Sequence, residues 1–122
     1  MARILVADDA SFMRQMIREI VELEGHEVVA EASDGIEAID QFKSHHPDVV
    51  TMDIVMPRRS GIDAVKAILE FDPTARVVMC SALGQETLVT EALQAGAHDF
   101  IVKPFKPDSV IDTLKKVLEK EE

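Results

Sequence analysis

The sequence has no tryptophan, no tyrosine and one cysteine, and its 13 lysines and arginines are outnumbered by 23 acidic residues. A lone Cys80 cannot form an internal disulfide, so the chain is not a small secreted domain held together by cystine bridges. No apolar run approaches the roughly 18 residues of a membrane span, and the start lacks the basic head and long apolar stretch of a signal peptide. These absences predict a cytoplasmic protein with no membrane association. The deficit of positive charge, formally −10 at pH 7, argues against nucleic acid or anionic lipid as a partner. A partner surface is expected to be basic or apolar, with part of the charge open to neutralisation by a bound cation.

What is present is the composition of a soluble globular chain, 47% hydrophobic and 30% charged. Its 122 residues suit one domain running to the chain end. Short β-branched runs at Arg3 to Ala7, Glu27 to Glu31, Asp48 to Met52, Arg76 to Cys80 and Asp99 to Val102 alternate with amphipathic stretches. All but the second run are apolar on consecutive positions, as strands buried on both faces require. The stretches between them predict helices. Phe12, Met13, Met16, Ile17, Ile20, Val21 and Leu23 form the first apolar stripe, with Arg14, Gln15, Arg18, Glu19 and Glu22 opposite and Gly25 as its stop. Ile36, Ile39 and Phe42 form the second, ended by His45-His46-Pro47. Ile62, Val65, Ile68 and Leu69 form the third, closed by Asp72-Pro73, and Leu88, Val89, Ala92 and Leu93 the fourth, stopped at Gly96. Val110, Ile111, Leu114, Val117 and Leu118 form the fifth, with Glu119 to Glu122 as a frayed end. Five such βα units predict an α/β fold: a five-stranded parallel sheet with right-handed crossovers and helices on both faces.

Ligands of open α/β sheets bind at the carboxyl ends of the strands. There the first strand delivers Asp8 and Asp9, the third Asp53, the fourth Ser81 and the fifth Lys103. Three carboxylates forced together need a cation or a retained proton. Hard oxygen donors in this number suit Mg²⁺, which binds through one or two carboxylates, waters and a phosphate oxygen. One Mg²⁺ cancels the net −2 of three Asp and one Lys, leaving a pocket that can admit a phosphate. One carboxylate would then be the nucleophile toward phosphorus, with the metal and Lys103 balancing charge on the transferring group. Asp53, alone at the end of the expected central strand, is the best placed. Singly, each residue has a plainer role: a turn former, a surface Lys-Pro, a helix cap supplied by Ser81, Asp9 or Ser11. Their coincidence at one sheet edge points to chemistry.

Ala7-Asp8-Asp9, Met52-Asp53-Ile54-Val55-Met56-Pro57 with Gly61, Cys80-Ser81-Ala82 and Val102-Lys103-Pro104-Phe105 together resemble the receiver domain of two-component response regulators. The resemblance spans the chain, and with it comes the flavodoxin-like strand order 2-1-3-4-5. It implies Asp53 as phosphoacceptor from a histidine kinase, and Mg²⁺ held by Asp9, Asp53 and the Val55 backbone carbonyl, with Asp8 acting through water. It implies Lys103 on a phosphoryl oxygen, a cis Lys103-Pro104 bond, and a switch in which Ser81 swings toward the phosphoryl group while Phe100 rotates inward. The signal would emerge on the face of the fourth helix, fifth strand and fifth helix. Within the family, the stretches around Asp8, Asp53 and Ser81 look most like single-domain chemotaxis proteins of the CheY type. Such a protein is not an enzyme in the ordinary sense, although it catalyses its own phosphorylation and slow dephosphorylation. The implied partners are a CheA-like histidine kinase and a flagellar motor switch or archaellum adaptor, with a phosphatase as a further one, and the chain is expected to be a monomer.

Two departures stand out. Phe100 has no hydroxyl where many such relatives carry Tyr. Val55 and Leu83 are apolar where other members carry polar groups, which predicts slow hydrolysis of the phosphoaspartate. A haloacid-dehalogenase-like phosphatase would need a second Asp where Val55 stands, and a flavodoxin would need a Ser/Thr/Gly-rich loop where Asp8-Asp9-Ala10-Ser11 stands. A phosphorelay intermediate, a receiver outside chemotaxis and an unphosphorylated binding module remain as alternatives. His45-His46 reads as a solvated turn and not a metal site. Met13, Met16, Met52 and Met79 read as core filler, and Cys80 as inert.

Overall fold

A computed structural model describes residues 1–119. Five strands alternate with five helices: β1 (Arg3–Ala7), α1 (Ser11–Leu23), β2 (Glu27–Ala32), α2 (Gly35–His45), β3 (Val49–Asp53), α3 (Gly61–Phe71), β4 (Val77–Ser81), α4 (Glu86–Gln94), β5 (Asp99–Val102) and α5 (Pro107–Glu119). The sheet is parallel, in the order β2-β1-β3-β4-β5. β3 and β4 run one residue further than their apolar runs, so Asp53 and Ser81 are the last residues of their strands. Of the frayed end expected at Glu119 to Glu122, Glu119 is the last residue of α5 and the other three residues lie outside the described ones.

Alternate strand residues feed two cores. Leu5, Val50, Met52, Val77 and Met79 meet Phe42, Ile62, Val65, Ile68, Val89 and Ala92 of α2, α3 and α4. Ile4, Val6, Val78 and Ile101 meet Ile17, Val21, Val110, Leu114 and Val117 of α1 and α5. Each fully buried aliphatic side chain contributes about 1.5–3 kcal/mol, which makes the sheet a stiff base for the loops at its edge. Met52 and Met79 are core filler as expected; Met13 and Met16 are half-buried at its margin.

Three expectations need correction. β5 is not buried on both faces: only Ile101 is covered, while Phe100 and Val102 are 39% and 46% exposed. β5 is an edge strand, and on its α4 side there is a cleft instead of packed helix. Phe12 and Leu23 lie outside the α1 stripe, 63% and 86% exposed, because at about 100° per residue they fall well round the helix from buried Ile17 and Val21. Arg14 and Arg18 do not simply face solvent. Arg14 Nε and Arg18 Nη2 donate to Glu31 of β2 at 2.8 and 2.6 Å. The long aliphatic stems let α1 cover the sheet while their charges pair at its rim.

Candidate functional site

The register sets Ala7 beside Met52, so Asp8 and Asp53 emerge level at the point where strand order reverses. Gly61 opens α3 against the last residue of β3. A Cβ there would lie 1.9 Å from the Asp53 carbonyl oxygen, so only glycine permits this approach. The Gly61 amide donates to the Ile54 carbonyl at 2.7 Å, closing the base of the β3–α3 loop.

Asp8, Asp9 and Asp53 each offer an oxygen within 4.8 Å of the others. Asp8 and Asp53 are buried and Asp9 is exposed. Asp8 is held on all sides. Its Oδ1 accepts from the Ala10 amide at 2.9 Å, its Oδ2 lies 3.0 Å from Lys103 Nζ, and its backbone amide donates to the Ala32 carbonyl at 2.9 Å. Lys103 Nζ also lies 3.3 Å from Asp53 Oδ1, so one ammonium bridges two buried carboxylates. Three hard oxygen donors at this spacing fit a small divalent cation of the Mg²⁺ type.

The electrostatics show the strain of the arrangement. Burial first, and then the negative charge of Asp8, push the Asp53 carboxyl up to about 6 despite Lys103. For Lys103, burial favours the neutral amine, but the Asp8 hydrogen bond and the charges of Asp53 and Asp8 outweigh it and the net direction is up. Burial pushes the Cys80 thiol far up, so it stays protonated.

Ser81 is 3% exposed, and its carbonyl accepts the Lys103 amide at 2.7 Å. The Lys103-Pro104 bond is cis. Ser81 does not cap α4, whose N-cap is Gln85. Nor do Asp9 or Ser11 cap α1, where Ala10 takes that position without a side-chain bond. Between Ser81 and Phe100 lies a cleft of about 300 Å³, floored by Val89, Leu93 and Val102. Val55 and Leu83 project at the rim, 55% and 87% exposed.

Two groups at this edge had not been singled out. Arg14 Nη1 donates to the Asp8 carbonyl at 2.7 Å, a contact signalled only by its place four residues after Ala10, on the helix turn above the loop. Asp34, the α2 N-cap, accepts from Arg58 across two loops, and no local pattern announces a pair 24 residues apart.

Residues 4–115 match the response regulator receiver domain family. The chain belongs to that family. It is 52% identical over 115 residues to the chemotaxis protein CheY of Thermotoga maritima, covering 94% of this chain and 96% of that one. It is 54% identical over 116 residues to the CheY of Bacillus subtilis, covering 95% and 97%. Among solved structures, a CheX–CheY–BeF3–Mg²⁺ complex from Borrelia burgdorferi superposes with a TM-score of 0.92 at 41% identity, covering 97% of this receiver and 90% of that chain. Receivers are signalling proteins that bind Mg²⁺ at an acidic pocket, and this one has the matching cluster at its carboxyl edge. Among the described residues no helix is long and apolar enough to cross a membrane.

Proposed function

We propose that this receiver is a phosphorylation-driven signalling protein, with Asp53 accepting a phosphoryl group from the phosphohistidine of a CheA-like kinase. The observation that carries the reading is the Lys103 ammonium, 3.0 Å from Asp8 and 3.3 Å from Asp53 beside a cluster of three carboxylates. An Asp53 oxygen attacks phosphorus, the P–N bond breaks, and its electron pair leaves on the imidazole nitrogen. Lys103 balances charge on a phosphoryl oxygen. Asp9, Asp53 and the Val55 carbonyl would hold Mg²⁺ directly and Asp8 through water. Prior engagement of both Asp8 oxygens, beside an exposed Asp9, supports that division. When bound, the cation supplies the positive charge that lets an anionic phosphoryl group approach three carboxylates. Later, water attacks phosphorus, the bond to the Asp53 oxygen breaks, and inorganic phosphate departs.

The added phosphoryl oxygens recruit the Ser81 hydroxyl, and Phe100 turns into the cleft behind it. The resulting population shift on α4, β5 and α5 passes to a motor switch or archaellum adaptor by docking. A CheX-type partner, as in the Borrelia complex, and a phosphatase are further candidates, and we place the monomeric receiver in the cytoplasm.

Incubation with Mg²⁺ and acetyl phosphate, followed by intact mass, tests the reading. One added phosphoryl group is expected, abolished by Asp53→Asn. No incorporation from any donor would leave an inert binding module. Phosphotransfer from a purified CheA-like kinase, compared with other histidine kinases and a histidine phosphotransfer protein, separates chemotaxis from the other pathways.

A further inference from the structure

The β3–α3 loop, residues 54–60, contains a feature that stability alone does not favour. Arg58 has φ 66°, in the left-handed region that suits glycine or asparagine. The Arg59 amide donates to the Pro57 carbonyl at 2.7 Å, closing a γ-turn around Arg58, and the positive-φ form of that turn is rare and strained. A long cationic side chain is an odd occupant of such a position. Its use is visible in the contacts: Arg58 Nε and Nη2 both lie 2.9 Å from Asp34 Oδ2. The other oxygen of Asp34 accepts the Glu37 amide at 2.8 Å and caps α2. Asp34 is thereby fixed to a helix and Arg58 is fixed to Asp34.

Backbone packing reinforces the seat. A Cβ on Gly35 would fall 2.2 Å from the Arg59 carbonyl oxygen, so the loop tip rests directly on the first turn of α2. Ile54 and Met56 are buried on either side of exposed Val55. An ion pair with an Arg side chain 59% exposed adds little to stability, whereas a strained backbone retained beside a phosphoacceptor is the usual mark of a geometry kept for function.

We propose that Arg58 and Asp34 are a positioning pair, holding the β3–α3 loop in the shape from which Val55 offers its carbonyl to the cation. The pair acts through Val55 and touches neither metal nor phosphoryl group. It rests on the metal site assigned under the proposed function.

Calorimetric titration with Mg²⁺ alone, paired with thermal unfolding in EDTA, tests the pair. Arg58→Asn keeps a residue tolerant of positive φ and removes the ion pair. The expected result is a Tm unchanged or raised together with a Mg²⁺ Kd raised about tenfold, the low end for losing an outer partner of a metal site. A merely structural role would lower the Tm and the Mg²⁺ affinity together. Asp34→Asn, which keeps the cap acceptor, is expected to match that loss, the double variant to be no worse than either, and Arg58→Lys to restore most of the affinity. Wild-type Mg²⁺ affinity in Arg58→Asn, or a loss matched by a fall in Tm, would overturn the pair. Asp53→Asn separates the two ideas. If it binds Mg²⁺ as wild type does, the metal site itself is wrong. If it loses binding while the Arg58 and Asp34 variants keep it, only the positioning role is wrong.

Discussion

At Asp53 two requirements oppose each other. The roles proposed for it, nucleophile and metal ligand, require ionisation, yet burial and the neighbouring Asp8 raise its carboxyl from 3.8 to about 6. Above pH 6 the metal-free fold bears the full cost of that charge; below the ordinary carboxylate range both folded and unfolded chains are protonated and the cost vanishes. Lowering pH from 7.5 toward 5 therefore relieves the empty pocket while weakening its hold on Mg²⁺. In EDTA, Asp53→Asn is expected to melt several degrees above wild type at pH 7.5, with the gap narrowing at pH 5. Scanning calorimetry at the two pH values checks this, and a gap indifferent to pH would contradict it. Val55 poses a kinetic counterpart. It is exposed at the rim with no polar atom on its side chain to orient an attacking water. Val55→Asn should shorten the phosphoaspartate lifetime severalfold, measured as phosphate release after the donor is removed, and an unchanged rate would show that water is oriented from elsewhere.

At the scale of elements, α3 is the clearest case of a helix placed for the site. Its first residue, Gly61, lies against the backbone of Asp53, and Ser60 caps it by accepting the Asp63 amide at 3.1 Å. Gly61→Ala forces a methyl group into a backbone oxygen and should cost about 3 kcal/mol or more, at the upper end of overpacking; urea unfolding would measure it. The helix stripes were legible because one-sided burial leaves a period in the sequence, and the central strands because burial on both faces leaves an unbroken apolar run. β5 was misread for a physical reason: Asp99 to Val102 is as apolar as a central strand, and a run of side chains does not record how many neighbours its strand will have. The five polar groups at the strand ends were legible by position alone. The Arg58–Asp34 contact was not, since it joins two loops whose approach is decided by the whole sheet, and the Arg14–Asp8 contact left no signal beyond the place of Arg14 in the first turn of α1.

For the whole molecule, the excess of acid is uneven in its consequences. About half of it sits on the helices, where screening of solvent-facing charges makes it cheap. The part gathered at the carboxyl edge is tolerated only through Lys103 and, once bound, a cation. Binding to the folded chain alone stabilises it by mass action, about 2.7 kcal/mol at a ligand concentration one hundred times Kd. Saturating Mg²⁺ should raise the Tm by that mechanism, EDTA should reverse the rise, and Asp53→Asn should abolish most of it. A Mg²⁺ effect equal in wild type and variant would point to unspecific screening. The same edge carries one plain backbone contact of wider reach, the 2.7 Å bond from the Lys103 amide to the Ser81 carbonyl. It yokes the tip of β4 to the tip of β5, so the backbones that carry the ammonium and the hydroxyl are joined directly. A displacement of either tip is expected to change this bond, and the chemical shift of the Lys103 amide proton would read it.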